Sequence, residues 1–83
     1  MAEKSIVMYG TSWCGDCRRA RQFLDQHHIP YHWIDIDLDP EGEQFVKKKN
    51  KGMRSVPTIV FQDGSTLVEP STKKLADKLG ISL

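Results

Sequence analysis

Two kinds of hydrophobic spacing alternate along this 83-residue chain. Short apolar runs of strand length occur at 6–9, 31–36 and 58–61. Between them, apolar residues recur every three to four positions, as in a helix that buries one face. The pattern predicts strands over these three runs and over 66–68, and helices that begin at Asp16, at Pro40 and just after Ser71.

Residues that begin or end elements stand where this pattern requires them. Asp39 and Ser71 are good N-caps, and Pro40 suits the first position of a helix. Asp63-Gly64 predicts a hairpin turn, which would make the fourth strand antiparallel to the third. We therefore predict an α/β domain of order β-α-β-α-β-β-α, with a four-stranded mixed sheet flanked by three helices. No linker or repeat interrupts the order, so one domain is expected over 1–83.

Composition excludes several classes of function. The net charge of +1 argues against nucleic acid or an acidic membrane surface as the main partner. No apolar segment is long enough to span a membrane, and the residues before the first run do not resemble a signal peptide. Two cysteines make no disulfide framework of the secreted kind. We expect a cytoplasmic protein whose cysteine pair is catalytic or metal-binding.

The Cys-x-x-Cys pair, Cys14 and Cys17, falls at the turn between the first strand and the first helix. Cys14 would stand at the helix N-terminus, where free backbone N–H groups and the positive end of the helix dipole favour an anion. Only the thiolate form of cysteine is a nucleophile, and a pKa below the free value is expected there. The pattern is typical of a thiol–disulfide redox site.

Zinc binding is the first alternative for the same cysteines. The spacing from Cys14 and Cys17 to His28 and His32 is close to that of a Cys2His2 finger. Pro30 lies between the two histidines and would break the helix that should carry both. A buried, inert cysteine pair is a third reading. We favour redox chemistry, with no metal bound.

Three stretches together resemble the mycoredoxin branch of the glutaredoxins, which have the thioredoxin fold. The resemblance covers nearly the whole chain and rests on motifs spaced as in that family. They are Thr11-Ser12-Trp13-Cys14-Gly15 followed by Cys17, Arg54-Ser55-Val56-Pro57-Thr58, and Phe61 with Asp63-Gly64-Ser65, Leu67 and Pro70-Ser71.

The resemblance implies a small thiol–disulfide oxidoreductase. Cys14 would attack the mixed disulfide of a protein with a small thiol, and a second small thiol would restore it. Cys17 could instead displace the target and form an intramolecular disulfide. Pro57, if cis, would place the Val56 backbone beside Cys14. Trp13, next to Cys14, would shape the site.

The chain departs from ordinary glutaredoxins at the positions that hold glutathione. Thr11 stands where they usually carry a lysine, Gly15-Asp16 replaces Pro-Tyr, and Glu69-Pro70 replaces a Gly-Gly pair. Mycothiol is therefore a candidate co-substrate beside glutathione. The residues that could bind the small thiol are Arg54, Val56, and Ser71 with Thr72 at the N-terminus of the last helix.

The expected partners are small-thiol mixed disulfides of proteins and protein disulfides, and a monomer is expected. Two rival functions remain open on the sequence. One is a thioredoxin-like electron donor that a flavoprotein reductase reduces. The other is a non-catalytic module that holds zinc, or an iron–sulfur cluster between two copies.

Overall fold

The computed structural model describes residues 6–83 and, within them, four strands and three helices. Their order is β-α-β-α-β-β-α, as predicted. The strands are β1 (Ile6–Gly10), β2 (Tyr31–Asp35), β3 (Thr58–Val60) and β4 (Thr66–Val68). The helices are α1 (Gly15–Gln26), α2 (Pro40–Lys49) and α3 (Thr72–Leu79).

The four strands form one mixed sheet in the order β2-β1-β3-β4. β1 pairs with β2 in parallel, and this pairing needs a crossover, which α1 supplies. β3 is antiparallel to both β1 and β4. The predicted mixed sheet and hairpin are therefore confirmed, and β1 lies in the interior of the sheet.

Successive side chains of β1 point to opposite faces of the sheet, and helices pack on both faces. Met8 is fully buried in the main core with Leu24 of α1, Ile59 of β3 and Leu75 of α3. Tyr9 points to the opposite face, because its ring stacks on Phe45 of α2 at 4.7 Å between centroids. Helices α1 and α3 contact each other, whereas α2 contacts β1.

Some element ends differ from the predicted ones by a residue. β2 ends at Asp35, because its carbonyl accepts hydrogen bonds from the N–H groups of Leu38 and Asp39 in a turn. β3 ends at Val60, because Phe61 already belongs to the hairpin turn and donates its N–H to Ser65. No helix among residues 6–83 is both long and apolar enough to cross a membrane.

Candidate functional site

Cys14 is the N-cap of α1, at the turn that follows β1. Its Sγ accepts a hydrogen bond from the backbone N–H of Cys17 at 3.2 Å. The same sulfur lies 3.8 Å from the carbonyl oxygen of Val56, to which the thiol can donate. Cys14 is partly exposed and reduced. The sulfur therefore occupies the place where an N-cap oxygen usually sits, and it is open to an incoming disulfide.

Cys17 lies one helical turn further in and is 1% exposed. Burial raises the pKa of its thiol from 9.0 to about 12, and the hydrogen bond with the Cys14 side chain acts in the same direction. A backbone hydrogen bond from Thr11 opposes them and lowers that pKa. Cys17 is therefore a neutral thiol at physiological pH, which makes Cys14 the better placed of the two to attack first.

Gly10, at the end of β1, provides the space for Cys17. A Cβ at this position would come within 2.6 Å of Cys17 Sγ and 2.8 Å of the Trp33 ring. Such distances are shorter than real side-chain contacts, so any other residue here would displace one of the two groups. The apolar run that predicts β1 gives no sign of this role, because the two groups that Gly10 accommodates belong to α1 and β2.

The segment before β3 faces Cys14. The peptide bond between Val56 and Pro57 is cis, and Pro57 is buried. Thr58 anchors this segment, since its hydroxyl donates to the Ser55 carbonyl at 2.7 Å and accepts from the Asn50 side chain at 3.2 Å. These bonds hold the Val56 carbonyl beside the Cys14 sulfur.

An open groove of about 530 Å³ runs past Cys14. Three parts of the chain line it, namely residues 13–16, residues 53–56 and Glu69. A larger hollow of about 800 Å³ lies along α2, but neither cysteine lines it. We take the groove beside Cys14 as the candidate site because the partly exposed member of the Cys-x-x-Cys pair lines it.

Four side chains form a connected network at the rim of this groove. The Trp13 indole donates its N–H to the Asp37 carboxylate at 2.9 Å. Arg54 forms an ion pair with the same carboxylate and a second with Glu43, where Nε lies 2.7 Å from the carboxylate oxygen. The Arg54 guanidinium, and after it the Trp13 indole, lower the pKa of Asp37. The network ties the loop before α1 to the turn after β2, to α2 and to the segment before β3.

The structure brings some of the proposed site residues together and leaves others apart. Trp13, Cys14, Arg54 and Val56 all line the groove, and Cys17 and Pro57 lie buried next to groove-lining residues. The other two, Ser71 and Thr72, are not among the residues that line it.

Ser71 is occupied as the N-cap of α3, where its hydroxyl accepts the N–H of Lys74 at 3.1 Å. Thr11, at the position where glutaredoxins carry a lysine, is 2% exposed and does not line the groove. The roles proposed for Arg54, Ser71 and Thr72 in binding a small thiol stay predictions.

The four residues of the alternative zinc site do not assemble. Within the described part of the chain, no three His, Cys, Asp or Glu side chains come together as metal ligands would. His28 follows the end of α1 with a left-handed backbone, whereas His32 is an exposed residue of β2. The described structure therefore does not place these four residues as ligands of one ion.

The chain is similar to proteins of one known family. The family model described as Glutaredoxin matches residues 6–66. A protein of Mycobacterium tuberculosis that bears a provisional glutaredoxin name is 40% identical over 79 residues, which are 95% of this chain and 94% of that protein.

Mycoredoxin 1 of Corynebacterium glutamicum is 35% identical over 75 residues, which cover 90% of this chain and 92% of that protein. Among solved structures, a glutaredoxin from Archaeoglobus fulgidus has a TM-score of 0.72 and 30% identity, over 95% of this chain and 87% of that one. The family model and the relatives agree with each other and with the fold.

Proposed function

Because this chain belongs to the glutaredoxin family of thiol–disulfide oxidoreductases, we propose that it reduces mixed disulfides between proteins and a small thiol. The observation that carries the proposal is the position of Cys14. Its sulfur caps α1, lines an open groove and accepts the N–H of Cys17. A thiolate there would be stabilised by that N–H and by the positive end of the helix dipole.

The proposed cycle begins when the Cys14 thiolate attacks the small-thiol sulfur of a mixed disulfide. The bond between that sulfur and the protein target breaks, and the target leaves as a thiolate that takes a proton from water. Cys14 is now joined to the small thiol, which lies in the groove. A second small thiol attacks as thiolate, releases the Cys14 thiolate and leaves as a disulfide of two small thiols. The cycle needs one cysteine.

The segment before β3 would align the substrate for this attack. The Val56 carbonyl lies 3.8 Å from Cys14 Sγ. A substrate segment extended along the Val56 backbone would therefore bring its disulfide next to the Cys14 sulfur. Trp13 and Arg54 lie at the same groove, where they could contact the small thiol. We propose mycothiol or glutathione as that thiol, supported by the family and by the relative named mycoredoxin 1. A reducing compartment such as the cytoplasm suits this chemistry.

Cys17 supports a second candidate, a dithiol cycle in which the protein acts as an electron donor. Cys17 is one helical turn from Cys14 and could displace a bound target by forming an intramolecular disulfide. It must first lose a proton that burial holds tightly, since its pKa is raised to about 12. We therefore propose the one-cysteine cycle as the main one.

Separate replacement of the two cysteines tests the proposal. Cys14→Ser should abolish turnover of a protein–glutathione or protein–mycothiol mixed disulfide, because no nucleophile then remains in the groove. Cys17→Ser should keep that turnover and lose only reduction of protein disulfides. Both are measured as release of the free protein thiol with the matching small thiol in excess.

Turnover by Cys14→Ser at the wild-type rate would reject Cys14 as the nucleophile. Loss of all activity in Cys17→Ser would favour the dithiol electron donor, and metal retained by the purified protein under reductant would favour the binding module.

A further inference from the structure

The groove beside Cys14 contains one basic residue among the described residues that line it, Arg54. Its guanidinium is bound on two sides, by Asp37 and by Glu43. One positive charge thus faces two negative ones, and the three side chains together carry a charge of −1. A carboxylate entering the groove would have to displace one of these partners to pair with Arg54.

The other charged residues at the groove do not offer a cation either. Asp16 pairs with Arg19 at 2.9 Å, which leaves that pair neutral. Glu69 lines the groove and forms no ion pair within residues 6–83. The side chains at the groove therefore carry an excess of negative charge, which repels an anionic ligand more than a neutral one.

We propose that Asp37 determines specificity at this site: by holding Arg54 in an ion pair at the rim, it withholds that cation from the bound thiol, so the groove favours small thiols without a carboxylate. Asp37 acts through Arg54 and is a positioning residue. The inference rests on the proposed function, because it concerns the small thiol that becomes joined to Cys14.

Two disulfides that differ only in the carboxylate test this. They are the disulfides of N-acetylcysteine and of N-acetylcysteine amide. With each, the Cys14 thiolate forms a mixed disulfide with one half and releases the other half as a thiolate. The reaction is followed by mass spectrometry on the Cys17→Ser protein, which stops at the mixed disulfide. The quantity of interest is the ratio of the two rate constants, amide over acid, because the intrinsic reactivity of the reagents cancels when variants are compared.

We expect a higher ratio for the Cys17→Ser protein than for a free thiol, such as N-acetylcysteine methyl ester, that reacts with the same two disulfides. Adding Asp37→Asn should lower the ratio about two- to fivefold, the range of one exposed charge interaction. Arg54→Ala raises it, because two carboxylates then lose their counter-charge. Asp37→Glu keeps the charge and should therefore leave the ratio close to that of the protein with Asp37. High salt reduces these differences, since the groove is exposed.

Asp77→Asn is the matched control, because it also removes a surface carboxylate from an ion pair, with Lys73 on α3, but does not line the groove. If Asp37→Asn fails to fold, Glu43→Gln loosens Arg54 from its other partner and should lower the ratio in the same direction. An unchanged ratio in Asp37→Asn, or shifts of the same sign in Asp37→Asn and Arg54→Ala, would overturn the inference. Absence of reaction with both disulfides would instead reject the proposed function.

Discussion

The missing side chain at Gly10 shapes the redox site as directly as the cysteines do. An added methyl group would overlap Cys17 Sγ at 2.6 Å and the Trp33 ring at 2.8 Å. We expect Gly10→Ala to lower the free energy of unfolding by about 1–3 kcal/mol, the usual cost of overpacking. It should also slow formation of the disulfide between Cys14 and Cys17, because Cys17 has to move. Urea denaturation and a thiol titration measure the two effects.

Gly15→Ala is the control for this substitution. Gly15 begins α1, and nothing lies within 4 Å of the place where its Cβ would be. Alanine favours a helix over glycine, so this variant should be as stable as the parent or slightly more so. Equal losses of stability in the two variants would show that Gly10 is not special in its packing.

The buried thiol of Cys17 should make stability depend on pH in the alkaline range. Its pKa is raised from 9.0 to about 12 in the folded protein, mainly by burial. Well below pH 9 the thiol is protonated in both the folded and unfolded states and contributes no pH dependence. Between pH 9 and 12 the unfolded chain loses the proton while the folded protein keeps it, so stability falls as pH rises.

With reductant present, the stability of wild type relative to Cys17→Ala should be about 1 kcal/mol lower at pH 10 than at pH 7. Urea denaturation of both proteins at the two pH values measures this difference. A difference that does not change with pH would mean that Cys17 is hydrated in the folded protein.

At the scale of elements, α2 illustrates how local signals fix a helix start. Asp39 accepts hydrogen bonds from the N–H groups of Glu41 and Gly42, at 3.1 and 3.2 Å, and Pro40 follows as the first helical residue. Asp39→Ala should lower the free energy of unfolding by about 0.5–2 kcal/mol. Asp39→Ser keeps a capping oxygen and should recover most of the loss. Chemical denaturation of the three proteins gives the comparison, and equal losses in both variants would show that the cap contributes little.

The sequence predicted the elements that have such local signals. Some of their ends were predicted less accurately. The cap of α3 at Ser71 and the fourth strand, β4, were confirmed as predicted. β2 was predicted to reach Ile36, whose N–H does bond to Gly10, but the turn that begins at Asp35 ends the strand first. Apolar spacing alone could not show that turn, since Ile36 is itself buried and continues the strand pattern.

At the scale of the whole molecule, two strongly exposed apolar side chains lie at the groove beside Cys14. Trp13 is 66% exposed and Met53 65% exposed, and both line the groove. We expect a folded target protein to bury Met53, whereas a small disulfide would cover little of it. Met53→Ser should therefore slow reduction of a protein mixed disulfide about two- to fivefold, in proportion to the apolar area lost, and change the rate with a small disulfide little.

Leu83→Ser provides the control for the surface change, because Leu83 is 77% exposed and does not line the groove. Initial rates with one mixed disulfide of each kind measure both variants. If Met53→Ser slows both substrates equally, Met53 supports the groove itself rather than contacts with a target.

The sequence indicated the Cys-x-x-Cys pair but not the network beside it. The spacing of Cys14 and Cys17 and the position of Val56-Pro57 were visible as motifs. Asp37, by contrast, is 24 residues from Trp13 and 17 from Arg54, and no short motif connects residues so far apart. Asp37 contacts Arg54 and Trp13 only because the fold brings the turn after β2 next to the segment before β3.

Glu69 combines an unfavourable backbone conformation with a carboxylate at the groove. Its φ of 49° lies in the left-handed region, which glycine adopts freely and which costs other residues on the order of 1 kcal/mol. It stands where glutaredoxins tend to carry glycine, and its N–H donates to the Pro57 carbonyl at 2.8 Å. A change to glycine would relax the backbone and remove a groove carboxylate together. A single substitution at position 69 would therefore change both the charge of the groove and the conformational cost of the local backbone.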